Sequence, residues 1–426
     1  MIQLYFRQSL YHLRENPIIT WVSILGTALA ICMVMVLVIT LQVRLADCEP
    51  EVNRSRSLYV SAMAVRYKGH EAGAAGYMSV QTGRACFLPL TTAESVTLIS
   101  QPEKVRASLP AGTKLTADMV QTDDRFWHIF HFRFLSGGAF TRADSDAGLP
   151  RAVISASVAR RLFGTTGAAG QTLQLNHVDY LVSGVVKDVS MLASSAYAQV
   201  WIPYNSTDAA GFAWWNDTMG QMKAVILAPS RADFPAIRRE AELLRHKFNY
   251  TLPDTEVFYR GEPDNLFTNL YRTWSDTPDV QGIIRRYVIV ILILLLVPAI
   301  NLSSMTLSRM RRRMAEIGVR KAFGATGGEL VQQVFFENLL LTLLAGVLGL
   351  ALSYAATFLL NGFLFGNSAN AYLSGDTSLT PGMLLSPRVF LAAFGFCLLM
   401  NLLSAGIPAW RASRMNIVDA INQKEE

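Results

Sequence analysis

RMRRRMAEIGVRKAFGATGGELVQQVFFE, residues 309–337, is the stretch whose reading decides the fold. It carries six basic residues (Arg309, Arg311, Arg312, Arg313, Arg320, Lys321) and lies between Tyr287–Ser308 and Asn338–Gly375, two runs without Asp, Glu, Lys or Arg. A charged segment between two runs long enough to cross a bilayer must sit at a membrane face. An excess of Lys and Arg in a short loop marks that face as cytoplasmic. Met310, Met314, Ile317 and Lys321 recur at i, i+4, i+7 and i+11, one side of a helix from Arg309 to Phe323. Gly324 is placed to end it in the left-handed conformation. Thr326-Gly327-Gly328-Glu329 then reads as a capping box opening a helix that continues through Val334, Phe335 and Phe336 into the next span. Helix, sharp turn, helix makes an elbow able to pass a push into two spans at once. The plainer alternative is a positive-inside anchor with no partner.

Outward from the elbow, Asn16–Val43 and Val389–Trp410 are also uncharged, making four blocks that each reach the ~20 residues a helical crossing needs. With 51% apolar and 16% charged residues, the chain is too oily for an ordinary soluble protein. The expected fold is an α-helical membrane protein with four transmembrane helices and a large mixed α/β outer domain between the first two. The expected boundaries are 18–43, 286–308, 338–366 and 389–410 for the spans and 44–285 for the outer domain. A short outer loop (367–388) and an inner tail (411–426) complete the chain. Residues 2–15 read as an amphipathic interfacial helix, with Ile2, Phe6, Leu10 and Leu13 on one face, inside an inner segment 1–17. A signal peptide is the rival reading, but its apolar region should run only about 7–15 residues.

The outer domain is expected to have two lobes, one near the membrane (about 50–121 and 216–280) and one inserted (about 122–215). In the first, Leu58–Tyr67 reads as a strand, Thr91–Glu94 as a capping box opening a short helix to Ser100, and Val105–Leu109 and Lys114–Gln121 as strands. Strand Met222–Leu227, helix Ala232–Phe248 and strand Glu256–Tyr259 follow the insertion. Within it, Asp123–His131 is a short helix and Arg151–Ile154 a strand. Ser155 caps a helix Ala156–Phe163 that stops at Gly164, and Gln171–Leu175 with Tyr180–Val186 form a hairpin. Val200–Ile202 adds a strand.

The net charge of +6 has meaning only by segment. Residues 44–286 hold 26 Lys/Arg against 24 Asp/Glu, whereas the three inner segments hold 11 Lys/Arg. Both termini are therefore expected in the cytoplasm with 44–285 outside, and no basic patch calls for nucleic acid. Cys48 and Cys86 lie on the outer side, where an oxidising compartment permits either a disulfide or two free thiols. His128 and His131 lack a further nearby ligand, so no metal is expected. No P-loop and no nucleophile–base set is visible, so the chain is expected to be no enzyme and to bind no cofactor. In the third span, Ala345, Gly349 and Ser353 form a small-residue stripe against which another helix, from this chain or a second copy, can pack closely.

Glu316-Ile317-Gly318-Val319-Arg320-Lys321-Ala322-Phe323-Gly324-Ala325-Thr326 resembles the signature of the FtsX/MacB-type (type VII) ABC transporter permeases. Pro408–Arg414 followed by Ile417–Ile421 resembles the family's closing motif, with Asn416-Ile417 where many members have Asp-Pro. Phe126–Phe140, Arg151–Gly164 and Gly184–Asp188 are similar to the MacB-like periplasmic core domain. The resemblance spans essentially the whole chain. Arg312 and Ala315 depart from it, standing where such sequences commonly place an acidic and a basic residue.

The resemblance implies a permease subunit in the bacterial inner membrane that pairs with a second permease copy, like or unlike. It implies two cytoplasmic ATPase subunits, carrying ATP and Mg on separate chains, held through Glu316, Ile317, Gly318, Arg320, Lys321, Gly324 and Ala325. In the MacB branch it further implies a mechanical pump driving efflux from the outer side, with a periplasmic adaptor and outer-membrane duct as partners. The absence of Asp, Glu, Lys, Arg and His from the four uncharged runs that make up the spans agrees with a machine that needs no polar path. Lipoprotein release, control of a cell-wall hydrolase during division and antimicrobial-peptide resistance are same-family alternatives. A membrane-anchored ligand sensor is the alternative of another class.

Overall fold

The computed structural model describes residues 17–110, 112–208, 211–273, 277–312 and 326–365, with isolated positions between 373 and 399. Residues 44–280 form one compact unit and the long helices belong to a second.

In the first unit, short β-branched and aromatic runs become strands because each buries one or both faces. β1 (Ser57–Val60) and β2 (Met63–Tyr67) are separate strands, broken at Ser61-Ala62, whose backbone N–H groups both donate to Glu262 Oε1 (3.0 and 3.1 Å). β2 joins β3 (Gly73–Gly76) and β13 (Thr255–Phe258) in a three-stranded antiparallel sheet. β1 joins a four-stranded antiparallel sheet ordered β14-β1-β12-β4, with β4 at Ser95–Ser100, β12 at Met222–Leu227 and β14 at Asp264–Asn265. Helix α2 (Val80–Cys86) and the long α6 (Phe234–Thr251) cover these sheets. Their core unites Leu58, Val65, Phe87, Leu98, Ile226, Ile237 and Val257. On α6, Ile237, Ala241, Arg245 and Phe248 are buried at helical spacing, and the opposite face carries exposed Leu243 and Tyr250.

The inserted region is a ring. β5 (Glu103–Ser108), β6 (Lys114–Thr122), β8 (Arg151–Ser155), β9 (Thr172–Leu175), β10 (Val178–Val186) and β11 (Val200–Pro203) follow the order β10-β8-β11-β6-β5-β9, and β9 pairs back onto β10. β7 (Phe134–Gly137) adds to the far half of β10. The ring encloses Val105, Ala117, Ile154, Leu173, Val182 and Ile202, with Val158 and Leu162 of α5 (Ala156–Phe163) packed on them. As the sequence reading has it, Ser155 caps α5 by accepting from the Val158 N–H, and Gly164 ends it at φ 73°, a conformation that favours glycine. Short helices α3 (Phe126–Ile129) and α4 (Arg142–Asp146) complete the region, with Trp127, Phe132 and Trp201 in edge-on contacts.

Two sequence expectations change here. Residues 95–100 form strand β4, because pairing with β12 along its full length outweighs the local capping pattern. Thr91 and Thr92 instead give their N–H and hydroxyl groups to the Glu240 carboxylate on α6. β5 and β6, expected in the first lobe, belong to the ring, so the inserted region begins near 103 and not near 122. Pairings of β6 with β11 and of β5 with β9 are long-range, and nothing local in the sequence announces them.

In the second unit, α1 (Pro17–Leu45), α8 (Val280–Arg312) and α9 (Gly327–Leu359) are the long helices. Thr20–Leu45 and Asn338–Leu359 are long and apolar enough to cross a membrane, and α8 runs unbroken through Pro298. α1 buries Ile24, Ala28, Ile31, Met35 and Ile39, while Trp21, Leu25, Leu29 and Met33 stay exposed. A helix apolar on every face suits lipid on the side no protein covers. The amphipathic segment 2–15, loop 367–388, the fourth span (389–410), the closing motif and the tail lie outside the described residues, a few isolated positions excepted.

Candidate functional site

α9 begins at Gly327, directly after Thr326, the position the sequence assigned to its cap. Glu316, Ile317, Gly318, Arg320, Lys321, Gly324 and Ala325 fall within 313–325, outside the described residues. Along α9, Ala345, Gly349 and Ser353 are all buried. A Cβ on Gly349 would lie 2.7 Å from the Ala28 carbonyl oxygen and 2.9 Å from Ile31 Cβ, so the stripe packs on α1 of the same chain. Ala345 joins Ile24, Ala28, Leu340 and Leu341 in that contact. The Ser353 and Thr357 hydroxyls are satisfied by carbonyls of their own helix, those of Leu350 and Ser353.

Where the chain leaves α1, a buried ion pair fixes it to the outer domain. Glu51 and Arg54 are each only 2% exposed, with Nε 2.5 Å from Oε2. The second Glu51 oxygen accepts the backbone N–H groups of Ser195 (2.7 Å) and Ala196 (2.9 Å). Arg54 Nη1 donates to the Ala46 carbonyl at 2.9 Å, and Nη2 donates to that of Leu192. Burial works against the guanidinium charge, but Glu51 outweighs it and holds Arg54 above its ordinary pKa. The first residues after α1 are thereby tied to the loop preceding β11.

A second buried cluster lies near the other end of the unit. Arg272 Nε is 3.2 Å from Glu262 Oε1 and also pairs with Asp264, all three side chains being at most 4% exposed. Glu262 in turn holds the Ser61 and Ala62 N–H groups, so this cluster sets the break between β1 and β2. Burial raises the Glu262 carboxyl above the usual carboxylate range in spite of Arg272 and these donors.

Sequence reasoning passed over Glu51, Arg54, Glu262, Asp264 and Arg272, because isolated charges in loops read as solvated. One local mark accompanies them: the dipeptide Glu-Pro occurs at 49–50 and 262–263, once beside each cluster. A Cys48–Cys86 disulfide does not form. Cys48 bridges Glu51 beside Arg54, whereas Cys86 ends α2 in the core. Burial pushes their thiols up to about 12 and about 11, which keeps both unreactive. His128 and His131 are exposed, and no group of three potential metal ligands occurs among the described residues.

Residues 20–244 match the MacB-like periplasmic core domain and residues 288–417 the FtsX-like permease C-terminal region. The chain is similar to the ABC transporter permease YknZ of Bacillus subtilis (strain 168), 24% identical over 70% of this chain and 68% of that protein. It is also similar to the macrolide export ATP-binding/permease protein MacB of Nitrobacter winogradskyi, 25% identical over 78% of this chain. The matched region spans 49% of that MacB, about half its length. The crystallised extracellular domain of a YknZ from Gram-positive bacteria aligns with a TM-score of 0.32 and 16% identity, covering 46% of this chain and 99% of that one. With the two family models covering both the outer domain and the permease region, the chain belongs to the FtsX/MacB-type ABC transporter permeases.

Proposed function

We propose that this chain is the permease subunit of an ABC transporter in which separate cytoplasmic ATPase subunits, using ATP and Mg, grip residues 309–337 and move the outer domain. Glu316, Ile317, Gly318, Arg320, Lys321, Gly324 and Ala325 form the gripped surface. Two permease copies carry the outer domains, cargo is expelled from the outer side with an adaptor and duct, and no channel crosses the bilayer. Four spans with both termini inside complete the topology.

One observation carries this reading: buried ion pairs anchor the outer domain near both ends of its sequence, Glu51–Arg54 after α1 and Glu262–Arg272–Asp264 ahead of α8. A buried pair of opposite charges yields little under load, because loosening it exposes an uncompensated charge to a low-dielectric interior. Displacement at a helix end is then passed to the domain instead of being absorbed in a slack linker. Apolar runs without Asp, Glu, Lys, Arg or His fit levers better than a polar conduit. Macrolide export, the role in the name of the MacB relative, supports efflux as the class of work.

The test is affinity purification of the full chain in mild detergent. An ATPase is expected to co-purify, and the double reversal Glu316→Lys with Arg320→Glu is expected to lose it. Full ATPase binding by that variant counts against the gripped surface.

A further inference from the structure

A polar cleft of about 340 Å³ opens beside β4, β12 and the residues following α7 (Leu266–Leu270). Two cations, Lys223 and Arg272, line it, and among the described residues no aspartate or glutamate does. Lys223 is half-buried on β12; its ammonium lies 5.1 Å from the centre of the Tyr77 ring and has no hydrogen-bond or carboxylate partner among the described residues. Arg272 is engaged by Glu262 and Asp264 through Nε, while its buried Nη2 has no partner among the described residues. Asn269 accepts the Ser61 hydroxyl at 2.6 Å through Oδ1, and its amide group carries two further N–H donors. Ser194 and Ser195 contribute hydroxyls from the loop before β11.

Such a lining is unfavourable when empty. A half-buried ammonium with no counter-charge loses hydration and gains only a ring face in return. Burial accordingly lowers the Lys223 pKa from its ordinary value. A cationic ligand would be repelled, and a purely apolar one would strand the donors. An anionic group answers every one of these features at once through charge-assisted hydrogen bonds.

We infer that this cleft binds one anionic group, a carboxylate or a phosphate, whose oxygens accept hydrogen bonds from Lys223 and Asn269. The bound group connects two segments that the ionic clusters already hold. One is the loop carrying Ser194 and Ser195, fixed by Glu51; the other is the stretch carrying Asn269 and Arg272, fixed by Glu262. It acts as a third fastening, present only when the ligand is.

The test uses the full chain in mild detergent at constant ionic strength, titrated by calorimetry with inorganic phosphate, succinate and sub-micellar dihexanoyl phosphatidylglycerol. Saturable binding of at least one probe is expected. Lys223→Met should weaken it about tenfold or more, as loss of a charge-assisted contact does, while Lys223→Arg keeps most of the affinity. Lys223→Met itself should unfold at the parent's temperature or above, since it removes an unpaired charge. Asn269→Leu, which leaves both cations in place, should weaken binding about threefold and serves if the lysine variants do not fold. Binding of phosphate or succinate identifies a soluble anion as the source; binding of the lipid alone identifies a headgroup. Absence of saturable binding by all three probes, or equal affinity in parent and Lys223→Met, overturns the inference.

Discussion

Replacing Arg54 by methionine tests the anchor after α1 most directly. The substitution keeps an unbranched side chain of similar reach but removes the cation paired with Glu51, which is 2% exposed. Glu51 retains the Ser195 and Ala196 N–H groups, yet its charge stands uncompensated, and the Ala46 and Leu192 carbonyls lose their donors. Breaking one side of a buried pair costs about 3–5 kcal/mol. For a unit of this size each kcal/mol moves the midpoint by roughly 2–4 °C, so a fall on the order of 10 °C is expected. Glu51→Gln together with Arg54→Met removes both charges and should recover at least half of that loss, because the pair's worth lies mainly in mutual compensation. Thermal unfolding of the purified full chain, followed by tryptophan fluorescence, reads both numbers. Trp201 is a close reporter, being buried with its indole N–H donating to the Ala196 carbonyl at 3.2 Å. If Arg54→Met unfolds within a degree or two of the parent, or the double variant loses the sum of the two single losses, the anchor does not bear the proposed load.

Gly349→Val places methyl groups against the Ala28 carbonyl and Ile31; overpacking of this kind costs about 1–3 kcal/mol, and disulfide trapping between cysteines introduced on α1 and α9 should fall with it. Asp123, deep beneath β4, is raised to about 6 by burial against the pull of the Thr97 hydroxyl and the Leu98 N–H. Its folded pKa lies above its unfolded one, so its contribution is complete below pH 3.8, declines up to about 6 and stays lost above. A stability profile of Asp123→Asn should lack that decline, and an unchanged profile refutes the assignment. Glu240→Ala strips Thr91 and Thr92 of their acceptor and should cost about 1–2 kcal/mol in chemical denaturation, with no effect on ATPase co-purification.

What the sequence made legible was local or periodic. Ser155 and Gly164 bracket α5 with side-chain and backbone chemistry that acts within a few residues, and the structure follows them. The stripe Ala345, Gly349 and Ser353 announced a close helix contact, although the partner, α1, lies some three hundred residues away and left no mark on the stripe itself. Thr91–Glu94 misled because a capping pattern carries tenths of the free energy that six paired strand residues carry. The ionic clusters were opaque for a different reason. Glu51 and Arg54 look like any two surface charges until folding brings Ser195, Ala196 and Leu192 around them. The elbow expected at 309–337 from charge and glycine placement lies largely outside the described residues, and its family signature falls within the permease region matched over 288–417.

The circular strand arrangement in the inserted region has a consequence for recognition. With β9 returning to β10, each of the six strands has a partner strand on both sides over part of its length, and among the described residues the four-residue β7 ends the sheet. A visiting polypeptide therefore has almost no opportunity to extend this sheet by hydrogen-bonding its own main chain. Whatever docks on that surface must identify it by side-chain shape and polarity, which frees the interior pattern to stay fixed while specificity drifts on the outside.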